Sequence, residues 1–315
     1  MSTPIKKFSC FFLLLPLLIV CNPCKAQDEE NTESETSTTD QEPYVQKKGF
    51  RFGLYIGSYF ANQYTANMYD GYGFDIDGNR NNWDNSLMNQ KINLELGGYA
   101  YSGQPDQIAQ ALNVDYHTWT FTPGDMPTNM RYSPAMMIGL HTIYSVDVAN
   151  SILINLNLVN LTASGNFTIV TPQPANSTQI NNRIKTFEIR GREQRMMLQF
   201  GYQHIFGESA KINWLVEGGL HATLAKFDKN EILINNLRVD LTSYFNNAAF
   251  ASALLFRRPV GLGMGAFAGV GANLNLNPKM TIQLLYNPTY ERINMGVNPA
   301  LKLQHAIGLR AYYNM

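Results

Sequence analysis

The chain has 315 residues, of which 45% are hydrophobic and 15% charged, and its 24 basic and 24 acidic residues give a formal net charge of +0. A balanced charge excludes the strongly basic surface that nucleic-acid binding requires. The cysteines, Cys10, Cys21 and Cys24, all precede residue 27. A mature chain that starts there has no disulfide, no cysteine-ligated metal and no cysteine nucleophile.

The first 26 residues have the pattern of a secretory signal peptide. Two lysines precede an apolar run over residues 8–21, and small residues up to Ala26 provide a cleavage site. We therefore predict a signal peptide over residues 1–26. The alternative is a lipoprotein anchored at Cys21 or Cys24, although the residues before both cysteines suit lipidation poorly.

Residues 27–48 are rich in Glu, Ser and Thr and poor in apolar residues. Such a segment buries too little apolar surface to offset the entropy lost on ordering. We predict a disordered acidic tail, which serves either as a solvated spacer or as a docking segment for a periplasmic partner.

From Gly49 onward, apolar residues recur at every second position. The clearest segment is residues 301–315, and the same alternation appears in residues 50–57, 91–100, 151–158, 195–203 and 213–224. An apolar face of this kind can cross a hydrocarbon layer, which takes about 9–11 tilted residues. The pattern predicts an all-β fold, an antiparallel transmembrane β-barrel over residues 49–315.

Short and long connections alternate between these segments. Tight turns are predicted at residues 146–151, 207–211 and 275–279, and long loops at residues 62–86, 162–186, 226–247 and 287–299. Outer-membrane barrels have short periplasmic turns and long outward loops. If residues 114–122 and 131–146 are also strands, the count is about ten. The alternative is eight strands, with the irregular region folded as a loop or plug.

The glycine-rich segment 261–275 is predicted to be a strand and not a nucleotide-binding loop. A dinucleotide fingerprint needs a strand that ends at the glycines and a helix that begins there. Here the glycines alternate along the strand itself. We predict that they leave a lumen-facing row without side chains, which makes room for bulky neighbours such as Phe267 or eases local coiling.

Several charged residues lie out of phase with the apolar rows and are predicted to face the lumen. They form a candidate polar cluster of Arg51, Lys91, Glu95, Glu217 and Arg310. A narrow barrel encloses little space. We expect these residues to pair into a closed polar core, because unpaired buried charges are costly. The alternative is that they line a path for ions or small solutes.

The first long loop contains carboxylates and amides at alternating positions, as calcium loops do, namely Asp75, Asp77, Asn79 and Asp84. It departs from the EF-hand pattern because Arg80 replaces the required glycine. We interpret it as a polar outward loop, with cation binding as the alternative, and we predict no cofactor.

The sequence predicts no enzymatic activity. The five histidines are scattered without a close metal-ligand pair, and no serine lies in a recognisable nucleophile motif. A membrane hydrolase stays open as an alternative, because a catalytic triad is defined by geometry and not by sequence position.

The predicted signal peptide followed by Gln27, the amphipathic strands, the segment YSPAMMIGLHTIY at residues 132–144 and the terminal GLRAYYNM resemble small outer-membrane barrels of the PorT-like or OmpA/OmpX-like kind. That resemblance implies a location in the outer membrane, contact with its lipids and recognition by the barrel-assembly machinery. The signal for assembly would be Gly308, Ala311, Tyr313 and Met315, although the final residue is not the usual aromatic. The PorT-like and PorP/SprF groups also imply a role in type IX secretion.

Three functions follow from these observations. The first is a structural or accessory component of a surface or secretion assembly, because long loops are where barrel function usually resides. The second is a narrow channel or porin, which the predicted lumen charges favour. The third is a membrane hydrolase, which requires a nucleophile and a histidine to meet near the outer rim.

Overall fold

The computed structural model describes residues 49–75, 79–98, 105–172, 183–207, 211–242, 260–277, 279–295 and 300–314. The predicted signal peptide (1–26) and acidic tail (27–48) lie outside these residues. Within them, none of the helices has the length and apolar character needed to span a membrane.

In the described part of the chain, ten antiparallel strands form one sheet. They are β1 (Gly49–Phe60), β2 (Arg131–Tyr132), β3 (Ala135–Ser145), β4 (Asn150–Val170), β5 (Ile184–Phe206), β6 (Ile212–Ile234), β7 (Leu237–Asp240), β8 (Val260–Asn277), β9 (Met280–Asn294) and β10 (Leu301–Asn314). Eight of them pair in the circular order β1, β3, β4, β5, β6, β8, β9, β10 and back to β1. The short strands β2 and β7 pair with β4 and β6 outside that circle.

The predicted antiparallel barrel is therefore confirmed, and its closed part has the eight strands of the alternative count. The seam joins the last strand to the first, with Arg310 opposite Tyr55. β10 also shows the predicted alternation, since Leu303 and Ile307 are exposed while Gln304 is buried. A closed sheet leaves no strand edge unpaired, which is what a membrane-spanning sheet requires.

Tight connections join β3 to β4, β5 to β6 and β8 to β9, as predicted. Gly49 at the start of β1 pairs with Ser145 beside the first of these turns, so both terminal strands begin or end on the same side. We call this side the turn end and the opposite side the loop end. In outer-membrane barrels the turn end faces the periplasm.

An apolar belt surrounds the barrel. It consists of exposed hydrophobic side chains on the outer face of every long strand, among them Leu54, Leu140, Leu156, Phe200, Leu220, Leu262, Leu284 and Leu309. Exposed aromatic residues gather towards the turn end, namely Phe50, Tyr144, Tyr202, Phe206, Trp214 and Tyr313. A continuous apolar band with an aromatic girdle is the outer surface of a lipid-embedded barrel.

Leu220→Arg provides a test of the belt. Leu220 lies midway along the outward row of β6 and is 70% exposed, whereas Ile212 begins that strand at the turn end and is 62% exposed. We expect Leu220→Arg to lower the free energy of unfolding in lipid vesicles by about 2–4 kcal/mol, and Ile212→Arg by at most about 1 kcal/mol. Denaturant titration of both variants measures the difference. Equal costs would contradict a lipid-facing belt.

Beyond the belt, the strands β4, β5 and β6 continue towards the loop end with opposite polarity. On β4, Asn166 is exposed while Phe167 and Ile169 are buried. On β5, Arg190 is exposed while Ile189 is buried. We call these parts the strand extensions: residues 160–170, 184–194 and 226–234. They have an apolar inside and a polar outside, like a protein in water.

The long loops predicted at residues 162–186, 226–247 and 287–299 are therefore wrong in extent. β4 continues to Val170, β5 begins at Ile184, β6 reaches Ile234 and β9 reaches Asn294. The alternation of period two persists in these stretches, but polar residues now occupy the outward row. Their polar composition favours a loop, because the sequence pattern alone does not show that the outer face of these strands passes from lipid into water.

Residues 61–134 connect β1 to β3, and we call their described part the cap segment. It contains 3-10 helices at Thr65–Tyr69 and Pro123–Asp125, helix α1 (Leu87–Asn89), a π-helix (Gln90–Leu96), helix α2 (Gln107–Leu112) and β2. The strands predicted at residues 91–100 and 114–122 are wrong. This region is therefore the loop or plug of the eight-strand alternative, and the cap segment contributes no strand to the closed circle.

Local interactions explain why the first of these predicted strands is helical. The Ser86 hydroxyl accepts a hydrogen bond from the Asn89 amide at 3.2 Å and caps the helix. Met88 and Ile92, four residues apart, are both fully buried. Residues at this spacing share one helix face, so the apolar positions fit a helix as well as a strand.

The second predicted strand, residues 114–122, is interrupted by its own backbone. His117 has a positive φ of 56°, a conformation that an extended strand does not contain. Two residues later, the Trp119 indole donates to the buried Asp106 carboxylate at 2.9 Å. This contact anchors the segment in the cap core, and its backbone pairing with the sheet is a single antiparallel bridge between Thr120 and Val170 of β4.

The glycine row of β8 faces the lumen, as predicted, and Phe267 on the same row is buried. A Cβ at Gly269 would lie 2.5 Å from Glu217 Cγ, and one at Gly263 would lie 3.0 Å from Glu291 Oε2. The missing side chains on β8 therefore make space for two lumen carboxylates.

Candidate functional site: the lumen and its cap

A bidentate ion pair between Arg310 and Glu217 lies inside the lumen. Arg310 Nη1 is 2.8 Å from Glu217 Oε2, and Nη2 is 3.1 Å from Oε1. Both side chains are fully shielded from solvent. Amide groups complete the site, since Asn287 donates to Glu217 at 3.1 Å and Gln283 accepts from Arg310 at 3.2 Å. Buried charges of this kind are stable only when paired and hydrogen-bonded.

A second polar group is built around Glu291 on β9. Thr223 donates to Glu291 Oε2 at 2.6 Å, and His221 Nε2 lies 2.8 Å from the same hydroxyl. Because the Thr223 proton is used towards Glu291, the His221 ring donates to Thr223. Tyr59 donates to the other carboxylate oxygen at 3.4 Å. These contacts tie β1, β6 and β9 together across the lumen.

Little free space is left between these groups. A lumen cavity lined by Tyr55, His141, His221, Asn287 and Arg310, among others, measures about 10 Å³. That volume is about the space that one water molecule needs. In the part of the chain that the structure describes, the lumen within the belt is therefore a packed polar core.

Glu193 and Arg195 form a third buried pair, at the mouth of the lumen where the belt ends. Arg195 Nε donates to Glu193 Oε1 at 2.6 Å, and neither side chain is accessible to solvent. Both residues face inward on β5, directly below the cap segment. The pair therefore sits at the boundary between the polar lumen and the apolar core of the strand extensions.

Three hydroxyl groups of the cap segment bind this pair. Tyr132 and Tyr69 donate to Glu193 Oε2 at 2.5 and 3.2 Å. Arg195 Nη2 donates to Thr65 Oγ1 at 2.8 Å. Burial and the adjacent Glu193 carboxylate raise the pKa of the Tyr69 hydroxyl well above its ordinary value, so it stays a donor. The charges of β5 thus fasten the cap over the lumen.

Apolar packing completes the closure. The Tyr69 ring stacks on Phe227 of β6 with centroids 5.0 Å apart. Cap residues join inward residues of the strand extensions in one buried cluster: Met88, Ile92, Trp119, Phe121 and Met130 from the cap, and Leu161, Phe167, Ile169, Ile189 and Ile232 from the strands. Burying this apolar surface is the main favourable contribution to the docking of the cap.

A charged pair also stabilises the cap internally. Arg80 Nη2 lies 2.6 Å from Asp70 Oδ2, and the guanidinium lies 3.6 Å from the centroid of the Tyr72 ring. Burial raises the pKa of the Asp70 carboxyl above its ordinary value, while the Arg80 charge opposes that rise. Asp70 and Arg80 therefore join two positions ten residues apart within the first loop.

The five predicted lumen residues divide into two groups. The structure places Arg51, Glu217 and Arg310 in the lumen, where Arg51 Nη2 donates to Ser145 at 3.0 Å. The prediction is wrong for Lys91 and Glu95, which form a 2.5 Å ion pair on the exposed side of the π-helix. The error follows from the helix described above, because a lumen position required these residues to lie on a strand.

The described residues of the predicted cation loop form no cluster of carboxylates. Asp75 accepts hydrogen bonds from the Asn79 amide at 2.7 Å and from the Asn79 side chain at 3.2 Å, while Asp84 is exposed. Asp77 lies outside the described residues. Within the described ranges, no group of three or more His, Cys, Asp or Glu residues could hold a metal ion.

The predicted assembly signal follows the two faces of β10. Tyr313 is exposed on the belt, and Ala311 belongs to the same outward row. Gly308 belongs to the lumen row, where a Cβ would lie 2.6 Å from the Tyr55 hydroxyl. Met315 lies outside the described residues.

Sequence reasoning missed Glu193 and the three cap hydroxyl groups. The alternation over residues 195–203 places Arg195 out of phase with the apolar row, and Glu193 lies two residues earlier on the same row. That spacing could have indicated the pair. Thr65, Tyr69 and Tyr132 gave no comparable signal, because their contacts span 61 to 130 residues of sequence.

No family model matches the chain, and no curated protein matches it. Among solved structures, the attachment invasion locus protein Ail of Yersinia pestis is similar at 9% identity and a TM-score of 0.35, with 85% of this chain and 98% of Ail covered. The outer membrane protein OprG of Pseudomonas aeruginosa is similar at 11% identity and a TM-score of 0.35, with 86% and 96% covered. These values are too low to carry a conclusion about function.

The assignment therefore depends on the molecule itself. Its sheet is closed, its outer face carries the apolar belt and aromatic girdle, and its inner face within the belt contains paired polar and charged side chains. Only a closed barrel satisfies every backbone group of a membrane-spanning sheet. The chain is an outer-membrane β-barrel protein.

Proposed function

We propose that this protein is a structural or accessory barrel of a surface or secretion assembly, and that it presents the cap segment and strand extensions to other components. The observation that carries the proposal is the capped lumen. Three buried carboxylates are paired or hydrogen-bonded inside it, while the described cap segment and strand extensions present polar side chains at the loop end. A cap that closes the lumen and adds surface at the loop end favours binding of other proteins over transport of solutes.

The absence of native cysteines beyond residue 24 makes a site-specific test simple. Asn166→Cys places a thiol on the exposed face of the β4 extension, and Lys279→Cys places one in an exposed turn at the opposite end. We expect a photo-crosslinker at Asn166→Cys to give a discrete adduct in intact cells. Lys279→Cys is the matched control. Adducts at Lys279→Cys alone would contradict the proposed surface.

A narrow channel is the second candidate, because polar and charged side chains recur along the lumen row of the belt. Planar-bilayer recordings separate the two functions. We expect no single-channel conductance from folded protein, whose insertion is verified by its heat-dependent migration in gels. Discrete conductance steps from the folded protein would favour the channel and would count against the accessory role.

We propose no enzymatic activity. A hydrolase requires a nucleophile, a histidine and an acid that a substrate can reach. His221, Thr223 and Glu291 do lie within hydrogen-bonding distance of one another, but all three are buried in the packed lumen. We also propose that the barrel-assembly machinery recognises β10, the strand that pairs with β1 at the seam.

A further inference from the structure

A groove of about 410 Å³ lies on the outer surface of the barrel, across β3, β4, β5 and β6. Its floor consists of exposed apolar side chains of the belt: Met136, Ile138, Leu158, Met196 and Leu224. Its loop-end rim is polar and consists of Asn160, Gln194 and Lys226. The groove therefore crosses the line at which the belt meets the strand extensions.

The register of the sheet explains the sharp rim. Asn160 pairs with Gln194, and Gln194 pairs with Lys226, so the three polar side chains form one row across the strands. One row towards the turn end, Leu158 pairs with Met196 and Met196 with Leu224. A molecule seated in the groove thus meets hydrocarbon on one side and hydrogen-bond donors on the other.

The rim region carries two basic side chains, Arg192 and Lys226, and Glu231, the acidic residue that interacts with Arg192 through its charge, already forms an ion pair with Lys229. Arg192 is exposed two residues beyond Gln194 on β5, and neither Arg192 nor Lys226 forms an ion pair with an acidic residue in the described ranges. Their neighbours differ in this respect, because Arg190 pairs with Glu188 at 2.6 Å and Lys229 with Glu231 at 2.5 Å. Arg192 and Lys226 are therefore available to an external anion.

We propose that this groove binds one anionic membrane lipid. The acyl chain lies on the floor formed by Leu158, Met196 and Leu224, and the headgroup phosphate is bound by Lys226 and Arg192. Apolar belt residues alone accept any lipid, but two unpaired cations at headgroup height select net negative charge. Charge-assisted hydrogen bonds from Lys and Arg to phosphate supply the specificity.

The test compares phosphatidylglycerol with phosphatidylcholine of identical acyl chains. Native mass spectrometry of the detergent-solubilised full protein counts the lipids that remain bound at each lipid concentration. We expect one phosphatidylglycerol to bind more tightly than phosphatidylcholine. We expect Lys226→Gln with Arg192→Gln to weaken that single binding event by about thirtyfold. Inorganic phosphate at the same concentration should not displace the lipid, because it lacks the acyl chain.

Lys211→Gln with Lys279→Gln provides the matched control, since both lysines are exposed at the turn end and the charge change is identical. Leu158→Trp fills the floor without any change of charge, and it should weaken binding of both lipids. Equal affinity for the two lipids would overturn the proposal. An equal loss in the turn-end control would do so as well, because it would show a general charge effect. Gel migration verifies that each variant is folded.

Discussion

Glu217→Gln is expected to lower the free energy of unfolding by about 3–5 kcal/mol, because it leaves the Arg310 charge buried without its partner. The bidentate contact at 2.8 and 3.1 Å is lost as an ion pair, and no solvent reaches the guanidinium. Denaturant titration of the variant in lipid vesicles measures the cost.

Glu95→Gln is the matched control, because Glu95 forms a 2.5 Å ion pair with Lys91 on the exposed surface of the cap. Exposed pairs contribute at most about 1 kcal/mol. Combining Glu217→Gln with Arg310→Met should recover most of the lost stability, because no charge is then left unpaired. Similar costs for Glu217→Gln and Glu95→Gln would show that the lumen pair is hydrated.

Arg195→Met is expected to loosen the cap and to destabilise the barrel by about 3–5 kcal/mol. The substitution leaves Glu193 buried without a counter-charge, and it removes the donor that holds Thr65 at 2.8 Å. Limited proteolysis reports on the cap directly. We expect new cleavage within residues 61–134 while the strands of the belt stay protected.

Arg190→Met is the control for Arg195→Met, since Arg190 lies on the same strand with an exposed side chain. Surface changes of this kind usually alter stability by less than about 0.5 kcal/mol. Tyr132→Phe separates the two effects, because it removes one donor to Glu193 and leaves the ion pair intact. Unchanged proteolysis in Arg195→Met would mean that apolar packing alone holds the cap.

The sequence was sufficient to predict the barrel because its signal is periodic and local. Alternation identified β10 and the glycine row of β8, turn-forming residues identified the tight connections, and the structure confirms each of them. The π-helix of the cap alternates like a strand over residues 91–96, and its helical signal is the spacing of Ile92 from Met88, which precedes the alternating segment. Short apolar segments often fit both periods.

The candidate site was predictable only in part. Inward charges such as Glu217 and Arg310 could be found from their phase on a strand. Their pairing across the lumen depends on closure and register, which alternation does not specify. The contacts of Thr65, Tyr69 and Tyr132 with β5 are still less accessible, because they join residues far apart in sequence through irregular segments.

The change of polarity along β4, β5 and β6 means that each of these strands lies partly in lipid and partly in water. On the turn-end side of Asn160, outward leucines contact lipid. On the loop-end side, an outward leucine would expose apolar surface to water and favour aggregation. Apolar side chains are therefore stable on the outer face of one part of the strand and on the inner face of the other part. The change occurs at one row of residues. The position of that row sets how deep the barrel sits in its membrane.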